Sequence, residues 1–184
     1  MEEKIISREV IQGHAVELFH QKGVDATSIN ELVKTCGIAK GTFYLYFRDK
    51  DDLVESVFDR YRQNFIQEVI DKNKAIHKVT YFADSLIEYF NKNQMFLIEI
   101  RKHMSTYKKY DYIEKTVKAF TKVIVNYLKF YEEYTVKNID IYNQALIVMI
   151  LEICYQGIID GSCDDKEEAK KILCDVFKRF FGCN

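Results

Sequence analysis

The chain has 184 residues, enough to bury one large core or two small ones, with 48% apolar residues and an unusually aromatic side-chain set of 13 Phe and 13 Tyr. Its formal net charge of −1 excludes a protein that coats nucleic acid by bulk charge, and the lack of proline with only seven glycines suits long helices joined by few rigid turns. The five cysteines (36, 154, 163, 174 and 183) contain no CxxC pair, which excludes a zinc ribbon or a thioredoxin-like centre and reads as free thiols in a reducing compartment.

The start, Met1-Glu2-Glu3-Lys4, is charged and unlike a secretion signal. A first helix is predicted over Ser7–Lys22, where Val10, Ile11, Ala15, Leu18 and Phe19 recur at helical spacing before Gly23 ends it. His14 and His20, six apart, fall on different faces and make no metal pair. A second helix opens with Ser28 and Glu31 as a capping box, carries Ile29, Leu32 and Val33, and breaks at Thr35-Cys36-Gly37.

A third, short helix is predicted from Ala39 to Phe47. Phe43 and Phe47, four apart, share its inner side, while Lys40, Thr42, Tyr44 and Tyr46 lie on the other. From Leu32 to Lys50 there are four basic residues (Lys34, Lys40, Arg48, Lys50) and one acidic residue, Asp49. Two short helices across a glycine turn, the second bearing basic and hydrogen-bonding side chains, form the plan of a helix-turn-helix DNA reader. In that reading Lys40 contacts phosphate or base. Gly41 permits close approach to the groove, and Thr42 offers a hydroxyl and a methyl group.

The run from Gly23 to Phe58, GVDATSINELVKTCGIAKGTFYLYFRDKDDLVESVF, closely resembles the N-terminal domain of the TetR family of bacterial transcriptional regulators. The most specific part is Gly37 to Phe47 followed by Lys50-Asp51-Asp52-Leu53, and the resemblance covers residues 5 to 60. It implies that Thr27, Tyr44 and Tyr46 touch the DNA backbone, that Lys50 clamps a phosphate, and that Phe43 and Phe47 are domain core. Two positions depart from the family pattern. Ala39 replaces the usual Ser or Thr cap of the recognition helix, and Leu45 stands where an aromatic or polar residue is frequent.

A fourth helix is predicted from Asp51 to about Lys72, with Leu53, Val54, Val57, Phe58, Tyr61, Phe65 and Val69 as its apolar stripe. Asp51 and Asp52 complement the positive end of its dipole. Further helices are read at about Val79–Asn91, Asn93–Met104 and Tyr112–Tyr134. The rings of Phe65, Phe82, Tyr89, Phe96, Phe120 and Tyr127 are either solid core or, as the resemblance implies, the lining of an apolar ligand cavity. Ile141–Ile159 is apolar nearly all round and therefore buried on more than one side. Its greasiest run, from Ala145, is interrupted by Glu152 and Gln156 and is too short to span a bilayer.

The last helix is one-sided, with Ala169, Ile172, Leu173, Val176, Phe177, Phe180 and Phe181 on one stripe. It packs either within its own chain or, as the resemblance suggests, against a twin subunit in a four-helix interface through Met149, Ile153, Ile172, Val176, Phe177 and Phe180.

The expected architecture is all-α: a three-helix helix-turn-helix DNA-binding domain, residues 1–50, joined by a continuous helix to a helical ligand-binding and dimerisation domain, residues 51–184. The expected function is a cytoplasmic, homodimeric repressor. It would be released from a palindromic double-stranded operator by a small lipophilic or aromatic effector, with no cofactor and no membrane attachment. The alternative is an inducer-independent architectural or protein-partner DNA-binding module. Redox sensing through Cys163, Cys174 or Cys183 is a further possibility. No enzyme is expected, because the chain has no Gly-rich phosphate loop, no HExxH and no nucleophile elbow. Glu99, Arg101 and His103 are polar, but successive members stand two apart on a helix and point in different directions.

Overall fold

A computed structural model describes residues 6–73, 78–104, 110–128, 139–162 and 165–181, with side chains left out at 125–128, 139–143 and 180–181. Among the described residues the fold is all-α. The helices are α1 (Arg8–Lys22), α2 (Ile29–Cys36), α3 (Lys40–Tyr46), α4 (Lys50–Phe65), α5 (Val79–Lys92), α6 (Gln94–His103), α7 (Asp111–Leu128), α8 (Ile139–Tyr155) and α9 (Lys166–Phe181). None is long and apolar enough to cross a membrane. The chain divides into two compact units, Met1–Arg60 and Tyr61–Asn184.

In the first unit, local chemistry sets each helix boundary. Ser7 caps α1 by accepting from the Val10 N–H, and Gly23 leaves it at φ 84°. Ser28 caps α2 by accepting from the Glu31 N–H. Gly37, in the left-handed conformation at φ 71°, closes it with bonds to the carbonyls of Lys34 and Val33. Asp49 accepts from the Asp52 N–H while the Asp52 carboxylate reaches back to the Arg48 N–H, so the two acids cap the start of α4 between them. Ile11, Ala15, Phe19, Leu32, Phe43, Phe47, Leu53, Val57 and Phe58 close the core of this unit. Deleting one such ring or branch typically costs about 2–5 kcal/mol.

The second unit is built around stacked rings. Phe65 lies 4.1 Å from Phe120 and Tyr61 lies 4.5 Å from Phe96, both pairs stacked, and Tyr89 meets Phe65 edge-on at 5.3 Å. The Tyr89 hydroxyl donates to the Tyr61 carbonyl at 2.6 Å, and burial pushes its phenol well above the ordinary range. Two stretches, Ile66–Asp71 after α4 and Gln156–Asp160 after α8, widen into π-helix. In the second, Gly157 packs so tightly on Ala169 of α9 that no Cβ fits between them.

The stripe on α9 divides into two edges. Ala169, Leu173 and Phe177 are fully buried, with Phe177 5.4 Å from Phe82 of α5, and Lys170 pairs with Asp84 on the same helix. Ile172 remains 38% exposed. Phe177, expected at an interface between subunits, is instead fully buried within the chain's own core. The cause is the short side chain at Ala169 and the glycine at 157, which let α9 sit deep enough to bury its inner edge. The expected role of Phe180 concerns a side chain outside the described residues.

Candidate nucleic-acid interface

The turn between α2 and α3 presents α3 outward. Ile38 N–H closes on the Val33 carbonyl, and α3 starts from Ala39, whose extended backbone (φ −71°, ψ 150°) is that of a cap residue without a capping side chain. Phe43 anchors the helix from inside, with no accessible surface, and packs on Phe47 at 5.6 Å. At about 100° per residue, Gly41 and Leu45 then fall within about 20° of the direction opposite Phe43, with Thr42 and Tyr44 on the flanks. The exposures agree: Leu45 is 82% and Tyr44 48% exposed, Gly41 and Lys40 are exposed, and Thr42 is half-buried. Lys34 and Thr35 of α2 and Arg48 beyond α3 are exposed as well. This is a small convex ridge with cations at its edges and an apolar tip.

Three residues expected to touch DNA are engaged within the unit. Thr27 is 4% exposed, and its hydroxyl donates to the Gly23 carbonyl at 2.9 Å. That proton is unavailable to a phosphate oxygen, which can only accept. The half-buried Tyr46 hydroxyl donates to the Ile6 carbonyl at 2.9 Å. The Lys50 ammonium donates to the Asp25 carbonyl at 3.1 Å. An ammonium has three protons, so Lys50 can hold the loop before α2 and still reach an anion.

The sequence reading overlooked Arg8. Its guanidinium donates to the Tyr46 carbonyl at 2.7 Å and lies 4.3 Å over the Phe47 ring, fastening the C-terminal end of α3 to the start of α1. No local pattern announces such a contact, since the partners stand 38 residues apart.

These features coincide with what the chain is similar to. Residues 13–57 match the family model described as bacterial regulatory proteins, tetR family. The chain carries the TetR-family N-terminal domain. An HTH-type transcriptional regulator of Bacillus subtilis, YvdT, is 38% identical to this chain over 67 residues, 36% of this chain and 32% of that protein. The chain thus spans about a third of that curated relative. The fold likeness extends further. A TetR-family regulator structure from Syntrophomonas wolfei superposes with a TM-score of 0.78 at 16% identity, covering 95% of this chain and 94% of that one. The B. subtilis transcriptional regulator FadR, solved in complex with stearoyl-CoA, gives 0.74 at 18% identity over 93% and 97%.

The second unit places the six expected ligand residues differently from one another. Phe65, Tyr89, Phe96 and Phe120 touch in one cluster, Phe82 lies apart against Phe177, and the Tyr127 side chain is outside the described residues. An open groove of about 420 Å³ is lined instead by Arg101, Met104, Val148, Leu151 and Glu152. At its edge Arg101 makes a bidentate pair with Glu152 at 2.8 and 3.0 Å and lies 4.0 Å over the Tyr155 ring. The arginine holds the Glu152 carboxyl below the usual carboxylate range.

A second overlooked group is the buried pair of Glu99 and His103, 3.1 Å apart, with the Tyr112 hydroxyl 3.5 Å from the same carboxylate oxygen. Spacing by two separates Glu99 from Arg101, but spacing by four returns His103 to the Glu99 face. That rule was available in the sequence and identifies the pair.

Proposed function

We propose that this chain is a sequence-specific DNA-binding transcriptional regulator of the cytoplasm, acting as a homodimer on a palindromic operator. The observation that carries the reading is the outward ridge of α3, held from inside by Phe43 and edged with exposed cations, inside a segment that matches the tetR family model. Lys40 supplies charge to a phosphate, Gly41 allows the helix backbone to approach base edges, and Thr42 and Tyr44 contact the flanks of the groove. Arg8 and Tyr46 tie the end of α3 to the start of α1, while Lys50, held to the Asp25 carbonyl, keeps protons free for a phosphate. The dimer forms through the outward-facing surfaces of α8 and α9. Val148, 45% exposed, and Ile172 are its centre, flanked by Met149, Ile153 and Val176, which remain partly accessible.

The reading includes repression relieved by a small lipophilic or aromatic effector bound in the second unit. Its support is the aromatic richness of that unit and the likeness in fold to a regulator solved with stearoyl-CoA. Effector binding shifts the population toward a conformation whose reading heads no longer match successive major grooves. The close ring contacts of Phe65, Phe96 and Phe120 favour a second reading, a DNA-binding module without an inducer, because a ligand at that place must part rings that already fill one another's surfaces.

Selection from a random duplex library with the purified chain, at two salt concentrations, tests the reading. A palindrome enriched at both salts supports it. Weak binding lost with salt and no enriched site would contradict it. Release of the enriched duplex by a long-chain acyl compound, and not by its headgroup alone, would decide for the inducible form.

A further inference from the structure

On the same DNA-binding reading, we infer that Leu45 is a base-reading residue that packs on a thymine C5-methyl group in the major groove, in the space that Gly41 leaves open. Two independent observations lead there. Leu45 is the most exposed large apolar side chain among the described residues, 82% accessible, and it stands almost opposite the buried Phe43. Leaving such a side chain in water forgoes its burial, and none of the described residues of the first unit covers it.

The second observation is Gly41, one turn earlier on the same outward line. A glycine inside a helix is less favourable than alanine, and here no internal constraint asks for it. Its backbone does not adopt positive φ, and a Cβ built on it meets no atom within 4 Å, the Leu45 side chain included. A side chain at 41 would fit the protein's own fold. The missing atoms therefore leave room for something outside it. A leucine tip beside a glycine notch fits a small convex apolar group.

The surroundings state which kind of partner carries that group. Lys34, Lys40 and Arg48 are exposed around the ridge, so the partner is polyanionic. In a duplex major groove the C5-methyl of thymine is the apolar feature that distinguishes one base pair from another. The position that departs from the family's frequent aromatic or polar residue thus becomes an apolar reader.

The test removes one methyl group at a time. In the duplex recovered by selection, each thymine is replaced singly by deoxyuridine, and affinity is measured for the wild type, Leu45→Ala and Gly41→Ala. The wild type is expected to lose about fourfold at one thymine in each half-site, the factor associated with burying one methyl-sized group. Leu45→Ala, which changes only an exposed side chain, is expected to bind the thymine and uracil duplexes equally there. Gly41→Ala weakens the thymine duplex while leaving the salt slope unchanged. Equal wild-type affinity for every uracil duplex, a selected site without thymine, or a discrimination that survives Leu45→Ala would overturn the inference while leaving the DNA-binding reading intact. If Leu45→Ala also left affinity unchanged, the exposed leucine would be assigned to a protein contact. Failure to select any site would overturn both.

Discussion

Arg8 and Tyr46 tie the start of α1 to the end of α3 by two crossed hydrogen bonds. The Arg8 guanidinium donates to the Tyr46 carbonyl at 2.7 Å, while the Tyr46 hydroxyl donates to the carbonyl of Ile6, two residues before Arg8. The last turn of a seven-residue helix has few hydrogen bonds of its own, so its orientation depends on such outside partners. Tyr46→Phe keeps the ring and deletes one bond. It is expected to lower the unfolding free energy by about 1 kcal/mol in urea titrations. Arg8→Ala, measured the same way, should cost a comparable amount and weaken DNA binding without any change at a DNA-contacting residue.

The unfilled cap at Ala39 gives a prediction of opposite sign. Ala39 already has the extended backbone of a cap residue, so Ala39→Ser supplies the missing acceptor without rearrangement. The substitution is expected to raise stability by about 1 kcal/mol. The matching loss, also about 1 kcal/mol, is expected for Ser28→Ala, which removes an existing acceptor for the Glu31 N–H. Thermal unfolding of the two variants should therefore move in opposite directions.

Gly157 tests how deeply α9 is seated. A methyl group at this position would collide with the Ala169 Cβ, which is fixed to the backbone of α9 and cannot swing aside. Gly157→Ala is expected to destabilise the second unit by about 1–3 kcal/mol, and Ala169→Gly in the same chain to recover part of that loss. Unchanged stability of the single variant would mean that α9 rides higher on α8 than the structure places it.

Titration of Glu152 provides a pH signature. Its folded-state pKa is depressed, first by the hydrogen bonds from Arg101, so the pair stabilises the fold above the ordinary glutamate pKa of about 4.3. That contribution disappears as pH falls through the lower folded value. Glu152→Gln should flatten the acid limb of a stability-against-pH curve below about pH 4.3, and less so at high salt because both partners are partly exposed. The thiols behave in the other direction. Burial raises the Cys154 and Cys174 pKa values, so both resist thiolate formation at neutral pH.

What the sequence made legible follows from how local the controlling chemistry is. Ser7, Gly23, Ser28 and Gly37 act within a few residues of themselves, and the first two helices begin and end where these residues place them. The inner position of Phe43 and Phe47 follows from helical spacing alone. The π-helical stretches at Ile66–Asp71 and Gln156–Asp160 were not legible, because a widened turn is stabilised by packing and has no residue signature of its own. The split of the α9 stripe was hidden for the same reason. Periodicity shows that Ile172 and Phe177 share an apolar face, but only the seat provided by Gly157 decides which of them remains accessible. Arg8 was invisible because its partner is 38 residues away, whereas the Glu99–His103 pair was readable from its spacing.

The central claim is that the α3 ridge reads sequence. Its most direct test is the ratio of affinities for the selected duplex and for a scrambled duplex of equal length, measured near physiological salt for the wild type, Lys40→Ala and Tyr44→Ala. For the wild type the expected ratio is at least about 1,000. It should fall in both variants, with Lys40→Ala also reducing the salt slope by about one. A wild-type ratio near one, unaffected by either substitution, would contradict the claim and leave α3 as a scaffold helix.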